Sequence, residues 1–314
     1  MSYKASAPGS VMLLGEYGVL FGKPALVCAI DKRIHVTLTP RHDTEIHIHS
    51  DLHGTYVTDL NDLRIEKPFQ FVLGAIKQFQ AKMRRGCDLS ITSEFSDKVG
   101  LGSSAAVTVA TLAALVTWLD IRILPLDLVR QGRNVIRECQ GLGSGADVAA
   151  SVYGGVVYYQ AHPLAAEKLS VKIPLALYYT GFKTTTAEAV KRVQTHFTQY
   201  PQVFKQLCAS IGQCATEGVA IIRRQDWQKL GDVMNIQQGL MEALGVSLPI
   251  IQHITGVLRN QEGITGAKIS GSGLGDCVVA LGEMNTVINF DGKYAGIQPI
   301  LVEMTLHGVQ GEKV

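Results

Sequence analysis

A chain of 314 residues with 46% hydrophobic and 18% charged residues has enough length for a sizeable core and is too apolar for a disordered segment. Its 29 Lys and Arg against 27 Asp and Glu leave a net charge of +2, which argues against a general nucleic-acid binder built on a basic face. Six scattered cysteines, with no C-x-x-C pair and no zinc-type His spacing, point to reduced, mostly buried thiols. Together with an N-terminus lacking a long apolar stretch, they give the expectation of a cytoplasmic protein.

The first third reads as strands. Ser10–Leu14, Ala25–Ile30 and Ile34–Leu38 are apolar or β-branched runs, and Glu45–His49 alternates. His47 and His49 share a strand face, but no third metal ligand is evident, so they read as exposed strand histidines. Pro68 opens a helix expected to run through Met83, and Asp88–Ser93 is a further strand. Helices follow at about 104–119, 125–140 and 146–152, the first of them apolar enough to be a buried core helix and too short to span a bilayer. After a strand at 156–160, residues 161–167 look like a linker. Beyond it come a strand at 176–180, helices near 185–199, 201–223, 226–243 and 248–260, and strands at 266–270, 276–281 and 298–305. The economical architecture is α+β in two lobes, 1–165 and 166–314.

Glycine stands out: 32 residues, against a typical share of about 7%, clustered at 100–102, 141–145 and 271–275. Val99-Gly-Leu-Gly-Ser-Ser-Ala105 is a glycine-rich turn running into a helix. Such a turn offers unpaired N–H groups and a positive dipole end to a phosphate, with two serine hydroxyls beside them. It also fits a tight strand-to-helix turn with Ser103 or Ser104 as N-cap. It is not a Walker A loop, since no Gly-Lys-Ser/Thr follows. Asp147, in Gly143-Ser-Gly-Ala-Asp147, is either a plain first-turn acid or the carboxylate that phosphoryl transfer to an alcohol needs near the attacking hydroxyl. Lys268-Ile-Ser-Gly-Ser-Gly-Leu-Gly-Asp276-Cys277 is either a glycine hairpin or a third side of an anion site between lobes.

These loops, with Ala7-Pro8-Gly9-Ser10-Val11-Met12-Leu13-Leu14-Gly15-Glu16-Tyr17, resemble the GHMP kinase superfamily over nearly the whole chain. Within it the chain is most similar to the mevalonate kinases, through Gly22-Lys23-Pro24-Ala25 and Asp147-x-x-x-Ser151-x-x-Gly154-Gly155, with the phosphomevalonate kinases next. The resemblance implies a two-lobed GHMP kinase fold: a ribosomal protein S5 domain 2-like N-terminal lobe and a ferredoxin-like C-terminal lobe. It implies ATP-dependent transfer to a small alcohol of isoprenoid precursor biosynthesis, the 5-hydroxyl of mevalonate first. Phosphomevalonate, a sugar or a sugar phosphate are the alternative acceptors, and a non-catalytic nucleotide-binding regulator is the reading from another class. By motif position, Gly100, Leu101, Gly102, Ser103, Ser104 and Ala105, with Gly271, Ser272 and Gly273, are expected to hold ATP. Ser103 or Ser104 is expected to touch Mg²⁺, and Asp147 to be the catalytic carboxylate. Ser10, Glu16, Tyr17, Thr184 and Thr186 are expected at the acceptor. The expected partner is a small-molecule substrate, with no nucleic acid and no membrane; a homodimer is left open.

Two positions depart from the family pattern. Ser10 stands where a lysine follows Ala-Pro-Gly, and a serine cannot supply that charge; Lys98, Lys183 and Lys268 are candidates to replace it by their place beside the motifs, with Lys183 the first choice and an exposed surface lysine the alternative for each. Ile136 stands where mevalonate kinases carry a metal-binding Glu, and Glu138, two residues on, is turned by about 200° on a helix.

Overall fold

In the computed structural model, which describes residues 1–284 and 287–314, the first lobe is organised on two long antiparallel strands, β1 (Tyr3–Leu14) and β2 (Ala25–Pro40). The sequence reading broke β2 into two runs at Asp31-Lys-Arg. The backbone continues through these residues as a bulge in β2: Pro8 faces Arg33 and Ser10 faces Ala29, so residues 30–32 of β2 lie opposite Gly9 alone. β3 (Glu45–Ser50) and β4 (Gly54–Asp59) form a hairpin whose second strand the sequence reading missed, because its half-exposed residues carry little apolar alternation. α1 (Gln70–Phe79) is shorter than expected, and β5 (Cys87–Ser93) pairs with β2 antiparallel and with β3 in parallel.

α2 (Ser103–Trp118) is buried nearly all round, as its composition demanded. α3 (Pro125–Gln140) starts on a proline and stops at Gly141 in the left-handed region. α4 (Ala146–Tyr153) packs on β1. β6 (Val156–Ala161) and β7 (Leu164–Leu169) form a second hairpin. The expected linker at 161–167 is therefore wrong: His162-Pro163 is the turn, and the flanking small residues lie in paired strands.

The second lobe contains β8 (Leu175–Tyr179), then α5 (Thr186–His196), α6 (Pro201–Arg224), α7 (Trp227–Ala243) and α8 (Pro249–Arg259), and then β9 (Ile264–Ser270) and β10 (Cys277–Gly282). β11 (Gln298–Ile300) is shorter than the strand expected at 298–305 and completes a four-stranded sheet of order β11-β8-β10-β9. The chain then returns to the first lobe. Met304 bridges to Ile30, and β12 (Gln310–Lys313) pairs with β1. A boundary after residue 165 thus cuts β7, and residues 310–313 belong to the first sheet, whose order is β12-β1-β2-β5-β3-β4 with β6 and β7 joined through β2.

The lobes share a core. Leu14, Leu26 and Ile30 from the first pack with Leu177, Ile222, Leu230 and Leu281 from the second. At roughly 1.5–3 kcal/mol per buried side chain of this size, such an interface fixes the lobes against each other. The cleft above it is thereby largely preformed. Among the described residues, no helix is long and apolar enough to cross a membrane. The six cysteines are free, and five are buried.

Candidate active site

The cleft between the lobes has a volume of about 630 Å³, and helix beginnings surround it. Gln70 and Phe71 open α1, Ser103 to Ala105 open α2, Gly145 and Asp147 open α4, and Thr185 to Ala187 open α5; all line the cleft. Each start presents N–H groups without helical partners and the positive end of a dipole, so the cleft favours anions. A smaller chamber of about 370 Å³, walled by His53, Phe69, Phe71 and Val107, shares Lys67, Gln70, Ser103, Ser104 and Lys183 with it.

The glycine turn 99–102 joins β5 to α2 and has Gly102 as the N-cap, at φ +70°. Neither serine caps the helix by its side chain, and among the described residues the Ser103 and Ser104 hydroxyls have no protein hydrogen-bond partner. The alternative reading, a turn closed by a serine N-cap, therefore fails. Gly102 has a second reason to be glycine: a Cβ there would overlap Ser10 Oγ.

Asp147 is half-buried on the first turn of α4. Ser10 Oγ donates to its Oδ1 at 2.8 Å. Burial pushes the Asp147 carboxyl above the ordinary range; the Ser10 hydroxyl and the Lys183 charge pull the other way, and Glu16 adds to the rise. Ser10 itself is fully enclosed, and its backbone N–H donates to Leu101 O at 2.9 Å.

Lys183 lies in the cleft wall, 3.4 Å from Asp97 O, where its charge acts on both Asp147 and Asp276. Lys98, the second candidate, is not among the cleft-lining residues. Lys268 is excluded by burial: it is wholly enclosed and paired with Glu16, which also accepts from Gln237. Gln237 in turn accepts from Gly15 N at 3.0 Å. Glu16 borders the cleft, but its carboxylate is committed to this strut between lobes.

The remaining expected residues divide. Gly100, Gly102, Ala105, Gly271, Ser272, Tyr17 and Thr186 line the cleft. Leu101 and Gly273 do not: Leu101 is buried, and Gly273 packs on Val246. Thr184 also lies outside the lining, because its hydroxyl donates to Leu274 O at 2.7 Å. The Tyr17 hydroxyl donates to Ser272 O at 2.8 Å. Three contributors escaped the sequence reading. Asp276, from the opposite lobe, accepts from Gly100 N at 2.6 Å, and a Cβ on Gly100 would overlap its carboxylate. Lys67 adds a second cation, and Gln70 Oε1 is buried without a partner at the junction of the chambers. Only the adjacency of Asp276 to the third glycine cluster marked any of these in the sequence.

Among the described residues, no group of three or more His, Cys, Asp or Glu side chains is placed to hold a metal. Ile136 lines the cleft, whereas Glu138 pairs with Lys77 at 3.1 Å outside it. Unpartnered serine hydroxyls beside one carboxylate suit a hard cation that keeps waters and is held mainly by substrate phosphates, as Mg²⁺ is.

Comparison with known proteins bears on the family and the fold. The family model for the GHMP kinases N terminal domain matches residues 70–155, and that for the GHMP kinases C terminal matches residues 219–288. The mevalonate kinase of Thermococcus sibiricus is 31% identical over 100% of this chain and 99% of its own length. The chain belongs to the GHMP kinase family. With the family comes the enzyme class, a phosphotransferase acting on a hydroxyl group, and the two-lobed α+β fold expected above. Among solved structures, the mevalonate kinase of Methanococcus jannaschii superposes with a TM-score of 0.77 at 22% identity, covering 96% of this chain and 98% of that one. A phosphomevalonate kinase of Streptococcus pneumoniae, in complex with phosphomevalonate and AMPPNP, reaches 0.78 at 18% identity, covering 97% and 99%. At these identities the structural likeness speaks for the fold alone.

Proposed function

We propose that this kinase transfers the γ-phosphoryl group of ATP to the 5-hydroxyl of mevalonate. The observation that carries the reading is the convergence of four helix beginnings on one cleft that Asp147 lines with one carboxylate oxygen free, while the Glu16 and Asp276 carboxylates are engaged by Lys268 and by Gly100 N–H. The nucleotide base belongs in the smaller chamber among His53, Phe69 and Phe71. Its phosphates lie across the shared wall, on Gly102, Ser103, Ser104 and Ala105 with Gly271 and Ser272 opposite. The acceptor lies beyond, against Tyr17 and Thr186, with Met12, Val19 and Leu20 as its apolar wall.

Asp147 orients the acceptor hydroxyl through the carboxylate oxygen that Ser10 leaves free and takes its proton as the new O–P bond forms in line with the breaking one. Lys183 and the N–H groups of the loop stabilise the charge that accumulates on the transferred group. Mg²⁺, held by the phosphates and by Ser103 or Ser104, would supply further charge neutralisation there.

Two features favour an unphosphorylated acceptor. The cleft-lining residues include two lysines, Lys67 and Lys183, and no arginine. A triphosphate already draws on both, so a phosphate on the acceptor would lack a charged partner. The mevalonate kinases also match over the full length of the chain. Purified protein with Mg-ATP, tested in parallel on mevalonate, 5-phosphomevalonate and galactose, is expected to release ADP with mevalonate. ADP release with 5-phosphomevalonate alone would overturn the acceptor. ATP binding without ADP release on the whole panel would make the chain a regulator.

A further inference from the structure

The bulge in β2, opposite Gly9 of β1, has a chemical result. At Pro8 the strand is still in register with β2, at Arg33; one residue past Gly9 it has shifted to Ala29. A bulge bends the strand pair and re-aims the side chains beside it, and on β1 the side chain just past it is Ser10. Its backbone N–H reaches the glycine turn at Leu101 O (2.9 Å), and its hydroxyl reaches Asp147 Oδ1 (2.8 Å). One residue, 1% exposed, therefore holds both the turn that starts α2 and the carboxylate that starts α4.

The contact is built from both sides. Gly102 approaches Ser10 so closely that any side chain at 102 would overlap the hydroxyl. Ser151, one turn beyond Asp147 on α4, donates to Pro8 O at 2.8 Å and pins the other flank of the bulge to the same helix. Because a hydroxyl donates only one proton, Ser10 engages Oδ1 and cannot also engage Oδ2. Among the described residues, Oδ2 has no hydrogen-bond partner and is left for the substrate.

We infer that Ser10 is the positioning residue of the reaction: it holds Asp147 at a set distance and orientation from the glycine turn, instead of contacting the acceptor itself. This rests on the kinase reading above and refines the place of Ser10 in it. A carboxylate held at one oxygen keeps a single rotamer, whereas a free one samples several and spends less time aligned with the phosphoryl group.

The test is Ser10→Ala against Ser10→Thr, with mevalonate and Mg-ATP. Ser10→Ala is expected to lower kcat roughly 10- to 100-fold while the KM for ATP stays within about twofold. Ser10→Thr, which retains the hydroxyl, is expected to recover most of that loss. A second readout is independent of turnover: titration of the Asp147 carboxyl carbon by NMR. Its midpoint is expected to rise in Ser10→Ala, since the donor that favours the ionised form is gone while burial, Glu16 and Lys183 remain. An unchanged kcat, or an unchanged midpoint, would overturn the inference. If the wild type is inactive on every acceptor, the kinase reading fails by itself, and the NMR titration still decides whether Ser10 holds Asp147.

Discussion

Lys268→Met separates a structural lysine from a catalytic one. Lys268 and Glu16 have side-chain exposures of 0% and 2%, and they join β9 of the second lobe to the end of β1 in the first. Removing the ammonium leaves the Glu16 carboxylate enclosed, with the Gln237 amide as its remaining donor. Breaking a buried pair in this way costs about 3–5 kcal/mol, most of it the penalty on the abandoned charge. At about 2 °C per kcal/mol for a chain of this length, the melting temperature should fall by about 6–10 °C. Scanning calorimetry with the Lys268→Met variant measures the fall. The double variant Lys268→Met with Glu16→Leu should regain most of it, because an apolar pair of similar volume removes both charges from the core. At 25 °C the folded Lys268→Met enzyme should keep kcat within about tenfold of the wild type, since the ammonium does not reach the phosphates. An unchanged melting temperature with kcat reduced a thousandfold would refute the reasoning and make Lys268 the catalytic cation.

Lys183→Ala is expected to lower kcat by about 100-fold, with partial recovery in Lys183→Arg, and steady-state assays at saturating ATP would show it; full activity would leave Lys67 as the cleft-lining lysine that supplies the charge. Asp147→Asn should cost at least about 100-fold in kcat, and turnover within about threefold of wild type would remove Asp147 from the reaction. The same variant should be more stable than wild type at neutral pH. The folded carboxyl has a raised pKa, so its contribution to stability is fully present below the ordinary carboxylate range and is lost as pH rises through the folded value. The gap in melting temperature between Asp147→Asn and wild type should therefore close on acidification, and a gap that widens would contradict the burial argument. Gly100→Ala should destabilise the protein by steric conflict with the Asp276 carboxylate, and Asp276→Ala should relieve most of that loss; additive melting shifts in the double-mutant cycle would show that the two residues do not meet.

Much of the site was legible locally. The turn at 99–105 advertised its geometry through Gly100 and Gly102, and Asp147 through its place at a glycine-rich helix start. Both line the cleft. Roles that depend on partners were not legible. Lys268 and Lys183 look alike as sequence, one beside each candidate motif, yet one is sealed against Glu16 and the other stands in the cleft wall. Thr184 and Thr186 are two residues apart, and the backbone turn before α5 commits one hydroxyl to Leu274 O and leaves the other beside the cleft. The hairpin at 156–169 looked like a linker because small residues in paired strands carry no periodic signal of their own.

Sequence alone determined the class of structure, the three glycine turns and the buried helix α2, and its motifs carried the resemblance to the family. The first three follow from short-range rules: φ freedom at glycine and apolar periodicity. Tertiary structure decided which side chains face one another across hundreds of residues. It brought Asp276 onto Gly100, sent the C-terminal strand back to β1, and enclosed Lys268. It also turned Ser10 from a gap in a motif into the partner of Asp147. The physical reason is that burial and electrostatic pairing are properties of the packed chain, set by neighbours that no local stretch of sequence contains.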